Sequence, residues 1–224
     1  MSTHRDPEVK DRAILWAKNK LAARGNYVIL DTETTGLKRN DVVLEIAVID
    51  LDGNELFNSR IKPTKRKRIS PDATAIHGIK MTDLQDCPTF AEIKDELENI
   101  IAGRTVLIYN AEYDEKLIDQ TCEQDECSYF RMRYDCVMIP YSGFIGRWSD
   151  YHYDYTFQRL PGGDHSAIGD CRATLKVIHK MANTTLTVLK EPVSKRPSSV
   201  SQSNGNPVHR IETSQSRKWW EFWK

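Results

Sequence analysis

The chain opens on a helical pattern. Val9, Ala13 and Trp16 recur at i, i+4 and i+7, with Ile14 and Leu21 beside them. This predicts an amphipathic helix over about 6–24, ended by Gly25. The period then changes. Tyr27-Val28-Ile29-Leu30 is a short continuous apolar run, which predicts a buried strand over about 27–31. A second run, Val42 to Asp50, is interrupted only by Glu45, and Asp52-Gly53 signals a turn into a third strand, Glu55 to Lys62. Glu45 shares a strand face with Val43 and Ala47 and is read as structural. Residues 71–82 read as loop or short helix. Phe90, Ile93, Leu97, Ile100 and Ile101 then line one side of a helix over about 89–102, closed by Gly103. A strand at 105–109, a helix at 111–124 and a strand near 134–138 follow. Pro161-Gly162-Gly163 precedes a last helix, about 165–182, with an inward stripe of Ala167, Cys171, Leu175 and Ile178. The Tyr- and Trp-rich stretch 141–160 follows neither period and is left unassigned. Three strands, then helix, strand, helix, strand and helix, is an α/β pattern: an antiparallel three-strand meander plus parallel strands, flanked by helices.

Composition adds boundaries. The 224 residues suffice for one well-cored domain with appendages. We place an N-terminal helix at 1–25, a central domain at 26–185, a disordered Ser/Pro-rich linker at 186–216 and an aromatic motif at 217–224. In that motif Trp219, Trp220, Phe222 and Trp223 follow a polar tether. It reads as an anchor for a protein partner in preference to a membrane, where so small a patch buries little apolar area. Thirty-two basic and 32 acidic residues cancel, so no overall basic footprint announces nucleic acid. The local run Lys62, Lys65, Arg66, Lys67 and Arg68 reads either as a solvated loop or as a phosphate contact. Cysteines at 87, 122, 127, 136 and 171 are odd in number and irregular in spacing, which predicts reduced thiols. Neither a signal-peptide layout nor a membrane-length apolar run is present, so the expected location is the cytoplasm.

The candidate chemistry begins at Asp31-Thr32-Glu33-Thr34-Thr35-Gly36. Two carboxylates two residues apart on a strand project from one side, as half of an oxygen cage for a hard divalent cation. Asn110-Ala111-Glu112-Tyr113-Asp114 follows another apolar run, and His165-Ser166-Ala167-Ile168-Gly169-Asp170 opens the last helix. In order and spacing these three segments resemble the exonuclease motifs of the DEDDh family, which includes the proofreading epsilon subunits of bacterial polymerases and ribonuclease T. The resemblance runs over about 26–182 and takes in Ala75-Ile76-His77-Gly78-Ile79.

The resemblance implies a ribonuclease H-like fold and a 3′–5′ exonuclease releasing nucleoside 5′-monophosphates. It implies two Mg²⁺ ions, with Mn²⁺ able to substitute, held by Asp31, Glu33, Asp114 and Asp170, and His165 as general base. Thr34, Thr35, Gly36, His77 and Asn110 would line the site of the terminal nucleotide. The expected partner is a single-stranded or frayed 3′ end, DNA favoured over RNA. RNA trimming and a non-catalytic tethering role through the tail are the alternatives. Two departures stand out: Tyr109 occupies a position often His in relatives, and the aromatic stretch 141–157 replaces a Leu-rich segment. Those aromatics could stack bases, pack a subdomain or form a dimer face.

Overall fold

The strands β1 (Tyr27–Thr34), β2 (Val43–Asp50), β3 (Glu55–Arg60), β4 (Thr105–Ile108) and β5 (Arg133–Cys136) form one mixed sheet in the order β3-β2-β1-β4-β5. The computed structural model describes residues 6–65 and 67–189. β1–β2 and β2–β3 are antiparallel, whereas β1–β4 and β4–β5 are parallel. The Asp50 carboxylate accepts the N–H groups of Asp52 and Asn54 and so pins the hairpin that Asp52-Gly53 predicted. The expected meander and parallel pair are therefore both present.

Register decides what each face carries. Asp31 stands opposite Ala47, and Glu33 opposite Glu45, which in turn stands opposite Arg60. Residues directly opposed in a sheet share a face, so these polar side chains lie on one side. Val28 and Leu30 alternate to the other. There, with Ile46, Val48, Val106 and Ile108, they pack against Phe90, Ile93 and Leu97 of helix α3 (Phe90–Ile101) and Leu117 and Ile118 of α4 (Ala111–Gln124). The polar face is roofed by α6 (Ala167–Ala182), whose Cys171 Sγ reaches the carbonyls of Ile29 and Ala47. A short helix, α2 (Pro71–His77), is capped by Ser70 and ends at Gly78.

The N-terminal helix α1 (Pro7–Ala22) is not a separate segment. It packs on α6 and on α5 (Met138–Ile145). Its buried stripe is Ala13, Ile14 and Ala17, one position off the expected Val9–Ala13–Trp16 line. Gly143 admits it: a Cβ there would stand 2.8 Å from Val9 Cγ1. Asp11 is buried too, and its carboxylate accepts N–H bonds from Thr187, Val188 and Leu189. Burial by itself raises this carboxyl, but the three backbone donors outweigh it and hold it down at about 2. The folded part therefore continues past the expected boundary at 185. The rest of the linker and the aromatic tail lie outside the described residues.

The unassigned stretch 141–160 resolves into α5 and a two-stranded hairpin, β6 (Trp148–Ser149) with β7 (Asp154–Tyr155). Its aromatics divide. Tyr141 stacks on Phe144 and meets Tyr109 at a tilt, with centroids 6.2 and 6.3 Å away, and Trp148 meets Tyr155 edge-on at 5.3 Å. Tyr151 and Tyr153, at the turn, are 87% and 82% exposed. Pro140 and Gly143 disguise the helix in the sequence. Pro140 lies in the first turn, where no intrahelical N–H is needed. No helix among the described residues is long and apolar enough to cross a membrane.

Candidate active site

Asp31 and Glu33 lie on the roofed face near the C-terminal end of β1, and Asp170 is in the first turn of α6. One carboxylate oxygen from each lies within 4.8 Å of the others. Oxygen donors so grouped suit a hard divalent cation. Asp170 is steered from behind, since its Oδ1 accepts the N–H groups of Asp164 (3.0 Å) and His165 (3.2 Å). Asp114 reaches the site from the opposite side of the sheet, in the first turn of α4. Thr32, pointing away from Asp31 and Glu33 by strand alternation, donates its hydroxyl to Asp114 Oδ1 at 2.7 Å. Asp114 is thus beside the three-carboxylate cluster and outside it.

The electrostatics match a cation site. Burial, followed by repulsion from Asp170, Glu45 and Asp114, pushes the Glu33 carboxyl up to about 9. Burial raises Asp114 to about 7 against the Thr32 hydrogen bond, and it raises Asp31 and Asp170 as well. Four desolvated carboxyl groups resist ionising together; a bound cation supplies the missing positive charge.

Gly163 is part of this construction. A Cβ there would stand 2.5 Å from Asp170 Oδ1, an oxygen already fixed by two backbone donors. Gly163→Ala is therefore expected to push Asp170 out of the cluster. Its Mn²⁺-dependent rise in Tm should weaken and 3′-end hydrolysis should fall about 10–100-fold, with the metal-free Tm nearly unchanged. A Mn²⁺ titration followed by melting, beside a rate measurement, checks this.

The last helix begins at Ala167, with Ser166 as its N-cap, so His165 precedes it. His165 is exposed and has φ 61°, a left-handed backbone unusual for a non-glycine residue. The loop after β1 is tightly built. Thr35 is fully buried, with its N–H on the Val42 carbonyl and its hydroxyl on Asp41 Oδ1. Thr34 and Tyr113 both donate to the Gly36 carbonyl. At Gly36, φ is 153°, and a Cβ would meet Asp41 Oδ2 at 2.8 Å, so glycine is required. The amide of Thr35 thus shapes the loop and cannot also turn to a nucleotide. His77 has both ring nitrogens engaged: Nδ1 accepts the Ile79 N–H, which leaves Nε2–H to donate to the Thr34 carbonyl. Burial lowers its pKa, in keeping with this neutral form. Asn110 is the N-cap residue of α4 and its carbonyl accepts the Tyr113 N–H.

The family model described as exonuclease, of ribonuclease T type, matches residues 28–178. An uncharacterized exonuclease, CP81, of Escherichia phage 186 is 33% identical over 190 residues, covering 78% of this chain and 94% of that protein. The chain belongs to this exonuclease family. DNA polymerase III subunit epsilon of Escherichia coli K12 is 35% identical over 103 residues, covering 41% of each chain. Among solved structures, E. coli exonuclease I with a dT13 oligonucleotide superposes with a TM-score of 0.53 at 17% identity, covering 67% of this chain and 39% of that one. The nuclease domain of 3′hExo, a DEDDh family member bound to rAMP, gives 0.53 at 13% identity, covering 69% and 90%. At such identities these two likenesses show the fold, which is ribonuclease H-like. The chain is thus a hydrolytic 3′–5′ exonuclease.

In this exonuclease three lysines of the basic run 62–68 hold loops. Lys62 and Lys67 donate to the carbonyls of Gln85 and Asn40, and Lys65 pairs with Glu126. Several residues that build the site were not singled out from sequence as belonging to it: Thr32, Tyr113, Gly163 and Glu45. Only Glu45 carried a signal, a charge inside an apolar strand. The others act through contacts across 77 to 82 residues or through space that a Cβ would fill.

Proposed function

We propose that the exonuclease removes nucleoside 5′-monophosphates from single-stranded or frayed DNA 3′ ends. The observation that carries this reading is the convergence of Asp31, Glu33 and Asp170 within 4.8 Å, with His165 hydrogen-bonded through its backbone to Asp170. The three carboxylates fit a divalent ion and would hold it, and Asp114 would contribute from the α4 side. When bound, two such ions lower the barrier to water attack on a phosphodiester and stabilise the departing 3′ oxygen. The chain's own residues do the rest. His165 takes the proton from the attacking water as its oxygen bonds to phosphorus. The bond from phosphorus to the 3′ oxygen breaks, and that oxygen leaves with a proton from solvent. An imidazole can accept this proton near neutral pH, where carboxylates committed to a cation cannot. Asn110 and the loops of Thr34 to Gly36 and of His77 would border the terminal nucleotide, His77 by holding Thr34.

DNA is favoured by the DNA polymerase III epsilon relatives, although the chain spans only 41% of the E. coli subunit. RNA 3′-end trimming is the second reading, since a relative named RNA exonuclease 4, of Gibberella zeae, aligns over 70% of this chain at 22% identity. The test is a time course on 5′-labelled single-stranded DNA and matched RNA, with Mg²⁺ or EDTA. We expect a metal-dependent ladder shortening from the 3′ end, faster on DNA. A faster RNA ladder moves the assignment to RNA, and no ladder on either overturns it.

A further inference from the structure

Glu45 sits where a β-strand does not ordinarily keep a charge. Its side chain is only 12% exposed, and its cross-strand neighbour on β1 is Glu33, a like charge directly opposite. On the other side it faces Arg60 of β3, whose Nε lies 3.5 Å from Glu45 Oε1. Glu33, Glu45 and Arg60 thus form a row across three strands, in which the guanidinium offsets the repulsion between the two carboxylates. The second oxygen of Glu45 leaves the sheet: Oε2 accepts the N–H of Ala167 at 2.9 Å. Ala167 is the first residue of α6, where backbone N–H groups have no partner within the helix. Ser166 answers the N–H of Gly169, and Glu45 answers that of Ala167.

We infer that Glu45 is a positioning residue that locks the start of α6 onto the sheet and thereby sets Asp170 and His165 against Asp31 and Glu33. The inference rests on the metal-site reading above. The geometry gives a direct route: β2 holds Glu45, Glu45 holds Ala167 N–H, and Asp170 lies three residues on. From there, Asp170 Oδ1 holds the backbone of Asp164 and His165. This hydrogen bond ties a strand of the sheet to the first residue of the helix that roofs it. What Glu45 contributes is an acceptor oxygen. Its charge is balanced by Arg60, and an amide oxygen should serve in its place.

The test uses three variants of the full chain. Glu45→Ala removes the acceptor, and Glu45→Gln keeps an oxygen for Ala167. Ala167→Pro removes the donor without touching Glu45. Proline is compatible with the first helical position, and Ser166 already has the extended backbone (φ −113°, ψ 142°) that precedes proline. Each is read by the Mn²⁺ concentration at half-maximal rise in Tm and by kcat and KM on an oligonucleotide. We expect Glu45→Ala and Ala167→Pro each to raise the Mn²⁺ midpoint roughly tenfold and cut kcat about 10–100-fold, with KM within about twofold. The double variant should be no worse than either single one, and Glu45→Gln should stay within about threefold of the parent.

If Glu45→Gln is as damaged as Glu45→Ala, the charge itself acts at the metal and the positioning role is overturned. If Glu45→Ala keeps the parent's Mn²⁺ midpoint, or loses kcat only in step with metal-free Tm, the role is overturned as well. Should Ala167→Pro fail to fold, the Ala and Gln pair at Glu45 decides alone. A parent chain with no Mn²⁺ response removes the metal reading, and this inference falls with it. A parent that binds Mn²⁺ but degrades no oligonucleotide overturns the proposed substrate, and the Mn²⁺ midpoints then decide the role of Glu45.

Discussion

His165→Ala should slow 3′-end hydrolysis by about 10²–10⁴-fold, the usual contribution of a positioned general base. It should do so without weakening metal binding. The imidazole is exposed, and the link from residue 165 to Asp170 runs through the backbone N–H, which alanine retains. The Mn²⁺-dependent rise in Tm is therefore expected to survive. Asp31→Asn should separate the other way. It removes one of the three clustered carboxylates, so both the Tm response and the activity should go, the latter by about 10³-fold or more. Melting curves with and without Mn²⁺, run beside oligonucleotide degradation, distinguish the pair. A His165→Ala protein that has lost the Tm response would assign His165 to the metal site and leave the base unidentified.

Glu33→Gln should make the metal-free protein more stable while destroying its catalysis. Burial and the neighbouring carboxylates raise Glu33 from 4.5 to about 9. Between those values the folded state holds a proton that the unfolded chain has released. The free energy of unfolding therefore falls as pH rises through this window, and below the unfolded value of 4.5 the penalty is gone. Near pH 7.5 the penalty is on the order of 2–4 kcal/mol, which glutamine removes. In EDTA, the parent should lose Tm from pH 6 to pH 8.5, and the variant should start higher and fall less. Asp31, Asp114 and Asp170 are also raised, so the variant curve is flatter and not flat. Added Mn²⁺ should reverse the trend in the parent alone. A parent whose Tm rises with pH in EDTA would show that these carboxylates are hydrated and ionised together. If the parent's Tm falls with pH as expected, the cluster is an example of stability given up for function.

Local periodicity is enough to locate most elements of this chain, because a strand or helix with one buried face must repeat its apolar residues at the matching interval. The helix at 111–124, the meander and the Asp31–Glu33 pair were all legible in this way, as was the order of the three motifs that mark the family. Element ends were less so. β1 runs on to Thr34 because β2 pairs with it that far, and α6 starts two residues late because Ser166 caps it. Residues 141–160 hid a helix because Pro140 and Gly143 count as breakers, although Pro140 falls in the first turn and Gly143 makes room for Val9 of α1.

What only the tertiary structure decided is which side chains hold the site in place. Alternation along β1 can be counted from the sequence, but cross-strand register cannot. It is register that sets Glu45 between Glu33 and Arg60 and so turns an apparently structural residue toward α6. In the same way Thr32 meets Asp114, Gly163 leaves room for Asp170, and Asp11 gathers the chain at 187–189, each across a separation that no local pattern records. Residue types and spacing state the chemistry a chain carries; the sheet register and the close packing of helices on it set the geometry in which that chemistry can act.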